Sequence, residues 1–208
     1  MIKLIAFDLW KTLAYRDVNY STTSRMLEIF KIEIPKKQFV KLFEQTLQTK
    51  RWSSKTEAYT ALCQAMGLEP TEQNITTLIQ IRDQAEAQTK LYPYTISMLN
   101  QLRSLGYKTG LISNSSTFAV KILKEQTNIL DYIDYPLFSF EIGVIKPDLK
   151  FFQALLKLAG CQPQESIMIG DKPGDDVNPP RSIGMNAVLF QNYKQLKKDL
   201  AIFFININ

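Results

Sequence analysis

The segment Ile2-Lys3-Leu4-Ile5-Ala6-Phe7-Asp8-Leu9-Trp10-Lys11-Thr12 begins with an apolar run that stops at an acidic residue. Four to six mostly apolar residues bounded by polar ones are typical of a strand that is buried on both faces. Ligands of open α/β sheets bind at the carboxyl ends of such strands. The segment therefore predicts a central parallel strand with Asp8 at its functional end.

Further apolar runs of the same kind recur along the chain, at residues 108–112, 137–140, 166–169 and 186–190. Between them lie segments with helical spacing of apolar residues, as in Phe151, Leu155 and Leu158. Strands that alternate with helices favour a parallel sheet with helices on both faces. The predicted fold class is α/β, with a Rossmann-like, doubly wound parallel sheet.

One interval, residues 14–92, contains no strand candidate and shows helical patterns instead. Pro35 and Thr71 stand where helix starts are expected, and Gly67 stands where a helix end is expected. The interval predicts a helical insertion between the first and second strands. We expect an α/β core of residues 1–14 and 91–208 and a small all-helical domain of residues 15–90.

The composition restricts the possible chemistry. The 208 residues include no histidine, which excludes histidine triads and histidine-ligated zinc. The two cysteines, Cys63 and Cys161, are too few for a cysteine metal cage. Catalysis must therefore use carboxylates, hydroxyls, lysines, arginines or a hard metal ion.

Charge and hydropathy also limit the partners and the compartment. The net charge of +5 comes from lysines spread along the chain, so we expect no nucleic-acid partner. The apolar run that begins at Leu200 is shorter than the roughly 20 residues of a membrane-spanning helix, and it predicts a docked final helix or strand. With few cysteines and no targeting signal, we expect a cytoplasmic protein without a membrane partner.

Polar residues follow four of the apolar runs, and a parallel sheet brings such residues to one edge. They are Asp8, Ser113, Lys146 and Asp171. Carboxylates bind a hard cation, while an ammonium group and a hydroxyl bind phosphate oxygens. Together the four residues predict a phosphate-and-magnesium site.

This ordered set resembles the haloacid dehalogenase superfamily over nearly the whole chain. The family's four motifs match Asp8-Leu9-Trp10-Lys11-Thr12, then Ser113, then the lysine of Lys146-Pro147-Asp148, then Gly170-Asp171 followed by Asp176. The resemblance implies a Rossmann-like core, a mobile all-helical cap inserted after the first motif, and dependence on magnesium. It also implies a covalent intermediate on the nucleophilic aspartate.

The resemblance assigns roles to individual residues. Asp8 is expected to be the nucleophile, and Mg²⁺ is expected on the Asp8 carboxylate, the Trp10 backbone carbonyl, Asp171 and Asp176. Lys146 is expected to screen the charge between the nucleophile and the phosphoryl group.

The phosphoryl oxygens are expected to be bound from the second motif. Ser113 is expected to hold one of them, with Asn114 and Thr12 supporting the phosphate-binding loop. As a candidate metal ligand, Asp175 is less favoured than Asp176, because the spacing of the family's fourth motif fits Asp176 better. The implied substrate is a small phosphorylated metabolite, bound by a monomer or a homodimer.

Trp10 departs from the family pattern, because phosphatases of this superfamily usually carry a second aspartate there. That aspartate protonates the leaving oxygen and later activates water, whereas an indole N–H cannot exchange a proton near neutral pH. Three interpretations follow: a phosphatase that compensates or uses activated phosphates, a 2-haloacid dehalogenase-like hydrolase, and a catalytically impaired phosphate-binding protein. The retained Asp171 and Asp176 favour a metal site, and with it the phosphatase.

Residues that contact the substrate and select it are expected in the helical insertion. Arg16, Arg51, Trp52 and Lys55 are the candidates, although cationic side chains on helices are usually solvated.

Overall fold

The computed structural model describes residues 1–207, so Asn208, the last residue of the predicted core, lies outside the described part. A five-stranded sheet forms the centre of the molecule, and all neighbouring strands run parallel. Its strands are β1 (Leu4–Phe7), β4 (Lys108–Ser113), β5 (Tyr135–Phe138), β6 (Ser166–Gly170) and β7 (Asn186–Leu189).

The strand order is β5-β4-β1-β6-β7, which places β1 in the centre. Leu4 pairs with Lys108 on one side and with Ser166 on the other, so the three central strands are in close register. The chain builds one half of the sheet outward from β1 and then crosses to the other half. This is the predicted doubly wound α/β fold, and its switch point lies at the carboxyl end of β1.

Helices cover both faces of the sheet. They are α5 (Thr95–Ser104), α6 (Thr117–Gln126), α7 (Ser139–Ile142), α8 (Leu149–Ala159), α9 (Asn178–Ser182) and α10 (Tyr193–Ala201). The alternation of side chains along β1 separates two cores: Ile5 and Phe7 pack in one apolar cluster, and Leu4 and Ala6 in the other. After α10, Ile205 packs into the cluster of Ile5, as expected for a docked C-terminal run.

Four helices follow the first strand. They are α1 (Thr22–Ile29), α2 (Lys36–Leu47), α3 (Lys55–Ala65) and α4 (Glu72–Glu86). The predicted helix signals are confirmed, since α2 begins after Pro35 and the hydroxyl of Thr71 accepts a hydrogen bond from the backbone N–H of Asn74. Gly67 takes φ +71° just beyond α3, a conformation that strains other residues. The four helices share an apolar cluster of their own.

The prediction of no strand within residues 14–92 is wrong. Two short strands, β2 (Ala14–Arg16) and β3 (Thr89–Leu91), pair antiparallel and frame the four helices. Each strand has three residues with little apolar character, so neither contains the apolar run that would predict a strand from the sequence. The third core strand also lies two residues earlier than predicted, because Ser139 already begins α7.

The described structure does not test the predicted division into a core of residues 1–14 and 91–208 and a helical domain of residues 15–90, which stays a prediction. Within residues 1–207, every helix is too short or too polar to cross a membrane.

Candidate active site

Asp8 lies directly beyond β1, at the switch point of the sheet, and is 6% exposed. Its backbone N–H donates to the carbonyl of Ile169 on β6 (2.8 Å), which continues the ladder by one residue and fixes the Asp8 backbone. Since the neighbouring strands end at the same edge, their following loops surround the Asp8 carboxylate.

Lys146 provides the cation at this position. Its Nζ donates to Asp8 Oδ1 and to Asp176 Oδ1, both at 2.6 Å, and its side chain is 3% exposed. Asn114 anchors the lysine backbone from the loop after β4: its Oδ1 accepts from the Lys146 N–H at 2.8 Å. The peptide between Lys146 and Pro147 is cis. Asn114 therefore supports the site through the backbone of Lys146.

Asp8, Asp171 and Asp176 form an acidic trio with carboxylate oxygens within 4.8 Å of one another. Asp176 lies in a π-helical turn over Pro173–Val177, and its Oδ2 accepts from the backbone N–H of Lys172 at 3.0 Å. Gly170 makes this approach possible, because a Cβ there would lie 2.4 Å from Asp176 Cγ.

The trio carries more negative charge than Lys146 balances. Burial raises the pKa of Asp8 to about 7, an effect that Lys146 opposes and Asp176 reinforces. Burial, followed by Asp176, also raises the pKa of Asp171. Burial lowers the pKa of Lys146, but the charges of Asp8 and Asp176 outweigh this and raise it. Clustered carboxylate oxygens with uncompensated charge fit a hard divalent cation such as Mg²⁺.

A network of hydroxyl groups lies at the carboxyl end of β4. Ser113 is fully buried, and its Oγ shares a 3.0 Å hydrogen bond with Ser115 Oγ, which also accepts from Trp10 Nε1 at 2.9 Å. Thr12 is buried as well, and in the described part of the chain its hydroxyl has no hydrogen-bond partner. Its carbonyl accepts from the Tyr94 hydroxyl at 2.7 Å. The predicted phosphate contacts of Ser113 and Thr12 stay predictions.

A cavity of about 760 Å³ opens beside the trio and reaches α1, α2 and α4. Core residues on its wall include Asp8, Trp10, Asn114, Lys146, Asp171 and Asp176. Residues from the segment that holds β2, α1, α2 and α4 include Arg16, Thr22, Phe43, Glu44, Gln48 and Arg82. The cavity therefore joins the predicted reaction centre to the helical segment.

A sequence model of haloacid dehalogenase-like hydrolases matches residues 2–184. The chain belongs to this family. Among curated relatives, this chain is 35% identical over 98 residues to glyceraldehyde 3-phosphate phosphatase of Methanothermobacter thermautotrophicus. The aligned residues cover 47% of this chain and 43% of the relative. The chain spans about half the length of the curated relatives it matches.

Solved structures of the family share its fold. A Bacteroides thetaiotaomicron enzyme of the haloacid dehalogenase family, in complex with magnesium and inorganic phosphate, has a TM-score of 0.68 at 19% identity, covering 94% of this chain and 99% of that one. A 2-haloacid dehalogenase from Pseudomonas syringae has a TM-score of 0.63 at 21% identity, covering 98% and 100%. At these identities the likeness shows the fold alone.

Of the four residues of this chain that were predicted to contact the substrate, Arg16 lines the cavity. The other three are engaged elsewhere: Arg51 donates to Glu141 Oε1 at 2.9 Å, Trp52 packs in the helical cluster, and Lys55 Nζ lies 2.5 Å from Asp83 Oδ1. Asp175, which fits the family spacing less well, lines the cavity and pairs with Lys172 at 3.3 Å.

Sequence reasoning missed Glu44 and Arg82, which reach the site from α2 and α4. Glu44 Oε2 accepts from Asn114 Nδ2 at 3.3 Å, and Glu44 Oε1 lies 4.0 Å from Lys172 Nζ. Burial raises the pKa of Glu44, while the Lys172 charge opposes it. A polar residue beside the apolar face of a helix is common, so neither residue carries a signal of function in the sequence alone.

Proposed function

We propose that this hydrolase is a magnesium-dependent phosphatase of small phosphorylated metabolites, with Asp8 as its nucleophile. The observation that carries the proposal is the contact of one buried ammonium group, that of Lys146, with two members of the acidic trio. The arrangement keeps Asp8 at the cavity wall with a cation beside it, where the incoming phosphoryl group brings negative charge.

In the proposed first step, an Asp8 carboxylate oxygen attacks phosphorus and the bond from phosphorus to the leaving oxygen breaks, with its electron pair staying on that oxygen. An aspartyl-phosphate forms. Lys146 remains beside the reacting oxygens and offsets their charge. In the second step, water attacks the phosphorus of the intermediate, which releases inorganic phosphate and restores the Asp8 carboxylate.

Asp8, the Trp10 carbonyl, Asp171 and Asp176 would hold the magnesium ion. When bound, it supplies electrostatic stabilisation of the phosphoryl oxygens. The excess of carboxylate charge over Lys146 supports this ligand set.

Trp10 shapes the range of substrates in this proposal. Its indole N–H donates to Ser115, so no proton-exchanging group stands at that position. The leaving oxygen must then take its proton from solvent or need none. We infer that phosphorylated compounds with good leaving groups, such as acyl phosphates, are turned over faster than sugar phosphates.

We further propose that residues 15–90 act as a cap on the core of residues 1–14 and 91–208. Glu44, Gln48 and Arg82 supply part of the cavity wall, which supports this role. The short β2–β3 ribbon is the place where the chain enters and leaves the helices.

The test is phosphatase activity of the wild type and Asp8→Asn, with and without Mg²⁺, on p-nitrophenyl phosphate, acetyl phosphate and sugar phosphates. We expect Mg²⁺-dependent turnover by the wild type and a loss of about 10³-fold or more in Asp8→Asn. Asp17→Asn is the matched control, because Asp17 is exposed and lies at the end of β2.

Two other outcomes would overturn the proposal. Release of halide from 2-chloropropionate without Mg²⁺ would establish the dehalogenase interpretation. Dehalogenases of this superfamily carry an aromatic residue at the position of Trp10. Binding of phosphate and Mg²⁺ without turnover of any ester would establish the impaired binding protein.

A further inference from the structure

Two arginines stand on the helical side of the cavity, apart from the acidic trio. Arg16 comes from β2 and Arg82 from α4, and we call them the arginine pair. Their side chains are 17% and 12% exposed, respectively. Guanidinium groups are seldom this buried without a full set of acceptors.

The arginine pair has one carboxylate between two positive charges. Arg82 Nε donates to Glu86 Oε1 at 2.7 Å, whereas Arg16 Nη2 lies 4.0 Å from the same oxygen. Glu86 is 2% exposed. The single buried carboxylate is therefore closely paired with Arg82, and the cluster keeps an excess of positive charge at Arg16.

Arg16 lacks the hydrogen bonds that would stabilise it. Its Nε and Nη2 are buried and have no hydrogen-bond partner within residues 1–207. Burial, followed by repulsion from Arg82, lowers the pKa of Arg16 to about 9, although Glu86 opposes this. A buried, incompletely paired cation destabilises a folded protein, so its presence at a cavity wall is better explained by a ligand than by stability.

Arg16 lies close to the proposed reaction centre, because it packs against Trp10. Its Cζ lies 3.7 Å from the centroid of the Trp10 ring, and Trp10 is two residues after Asp8. On the other side, Arg82 Nη1 donates to Thr22 Oγ1 at 3.3 Å, and Thr22 begins α1. The cavity is thus acidic at the trio and cationic at the arginine pair, within a volume suited to a small metabolite.

We infer that the arginine pair binds a second anionic group of the substrate, a carboxylate or a second phosphate, while the cleaved phosphoryl group lies at Asp8. This inference rests on the proposed phosphatase function and narrows its substrates to phosphorylated metabolites that carry another anionic group. Guanidinium groups bind both kinds of anion through paired hydrogen bonds.

The test compares esters that differ in the second group alone. One arm uses 3-phosphoglycerate against glycerol 3-phosphate, and the other uses fructose 1,6-bisphosphate against fructose 6-phosphate. For the wild type we expect kcat/KM to be at least about tenfold higher for the doubly anionic member of one or both pairs. The arm that responds identifies the anion as carboxylate or phosphate.

In Arg16→Met, the ratio of kcat/KM for the doubly anionic ester to kcat/KM for its singly anionic partner is expected to fall to about twofold or less. The change is expected mainly in KM, without a lower melting temperature. Arg16→Lys is expected to keep part of the preference, because the charge remains while the planar fork is lost. Arg25→Met is the matched control: Arg25 is an exposed arginine on α1 that lies outside the cavity wall, and its loss should leave the ratio unchanged.

Equal kcat/KM values within both pairs for the wild type, or an unchanged ratio in Arg16→Met, would overturn the inference and leave the phosphatase proposal standing. If the wild type hydrolyses no ester, the phosphatase proposal fails separately. Calorimetric Kd values for the same pairs then test the arginine pair without turnover. A wild-type preference that Arg16→Met loses supports the anion site, and equal Kd values refute it.

Discussion

Lys146 Nζ lies 2.6 Å from Asp8 Oδ1, a contact between residues 138 positions apart in the chain. The same ammonium group lies 2.6 Å from Asp176 Oδ1, so it joins the loops that follow β1 and β6. Buried carboxylates at this spacing repel each other unless a cation lies among them. Lys146 therefore holds Asp8 and Asp176 together, and this gives it a structural role that can be measured.

Lys146→Met should lower the free energy of unfolding by about 3 kcal/mol in the absence of metal, because it leaves the buried carboxylates of Asp8 and Asp176 without the positive charge between them. Millimolar Mg²⁺ should restore part of this loss, since a cation that binds the native state stabilises it. Chemical denaturation with Mg²⁺ or with EDTA measures both effects.

Lys172→Met is the matched control for that prediction. Lys172 lines the same cavity but is 49% exposed and pairs with Asp175, so its loss should cost less than about 1 kcal/mol. A Lys146→Met loss of the same size with Mg²⁺ and with EDTA would contradict the assigned role.

Gly170→Ala should destabilise the protein by about 1–3 kcal/mol and weaken the rise in melting temperature caused by Mg²⁺. The added Cβ would lie 2.4 Å from Asp176 Cγ, so Asp176 must move away from the trio. Gly174→Ala is the control, because nothing lies within 4 Å of a Cβ there. Thermal melts with and without Mg²⁺ distinguish the two variants, and equal responses would refute the close-approach argument.

Trp10→Asp should raise kcat for sugar phosphates by about 10²-fold, because a carboxyl group can protonate the leaving oxygen and the indole cannot. The gain should be much smaller for acetyl phosphate, whose leaving group needs no proton. Trp10→Phe controls for the lost hydrogen bond to Ser115 and should give no such gain. An equal gain for both substrates would show that Trp10 limits access rather than proton transfer.

Glu44→Gln should change how stability depends on pH. Burial raises the pKa of Glu44 in the folded protein, so the folded state binds the proton more tightly than the unfolded chain does. Ionisation of Glu44 therefore subtracts stability as the pH rises from about 4.5 through the folded-state pKa. Glu44→Gln lacks this loss and should gain stability relative to the wild type between pH 4 and pH 7.

The measurement for Glu44→Gln is the difference in unfolding free energy from the wild type at both pH values, in EDTA. Glu28→Gln, at an exposed position on α1, should show a flat difference. A Glu44→Gln difference that also stays flat would mean that Lys172 and Asn114 compensate fully for the burial.

The core fold and two members of the acidic trio, Asp8 and Asp171, were predictable from short-range patterns in the sequence. Asp176 was predicted from the resemblance to the family's fourth motif. An apolar run that ends at Asp8 or just before Asp171 identifies a buried strand and its carboxyl end, and parallel strands bring those ends together. The helix signals of Pro35, Gly67 and Thr71 depend on the backbone of neighbouring residues, and they too were predictable.

The β2–β3 ribbon, the contacts of Glu44 and the arginine pair were decided by the tertiary structure. Each depends on residues that meet across long stretches of chain, such as Arg82 and Thr22, which are 60 positions apart. Their local patterns match those of ordinary solvated helices and short loops. Strand ends and helix caps follow from local backbone geometry, whereas burial and charge pairing arise only when distant segments pack. The sequence therefore determined where the strand-end carboxylates lie, and the packing of the helices decided which charged groups face them.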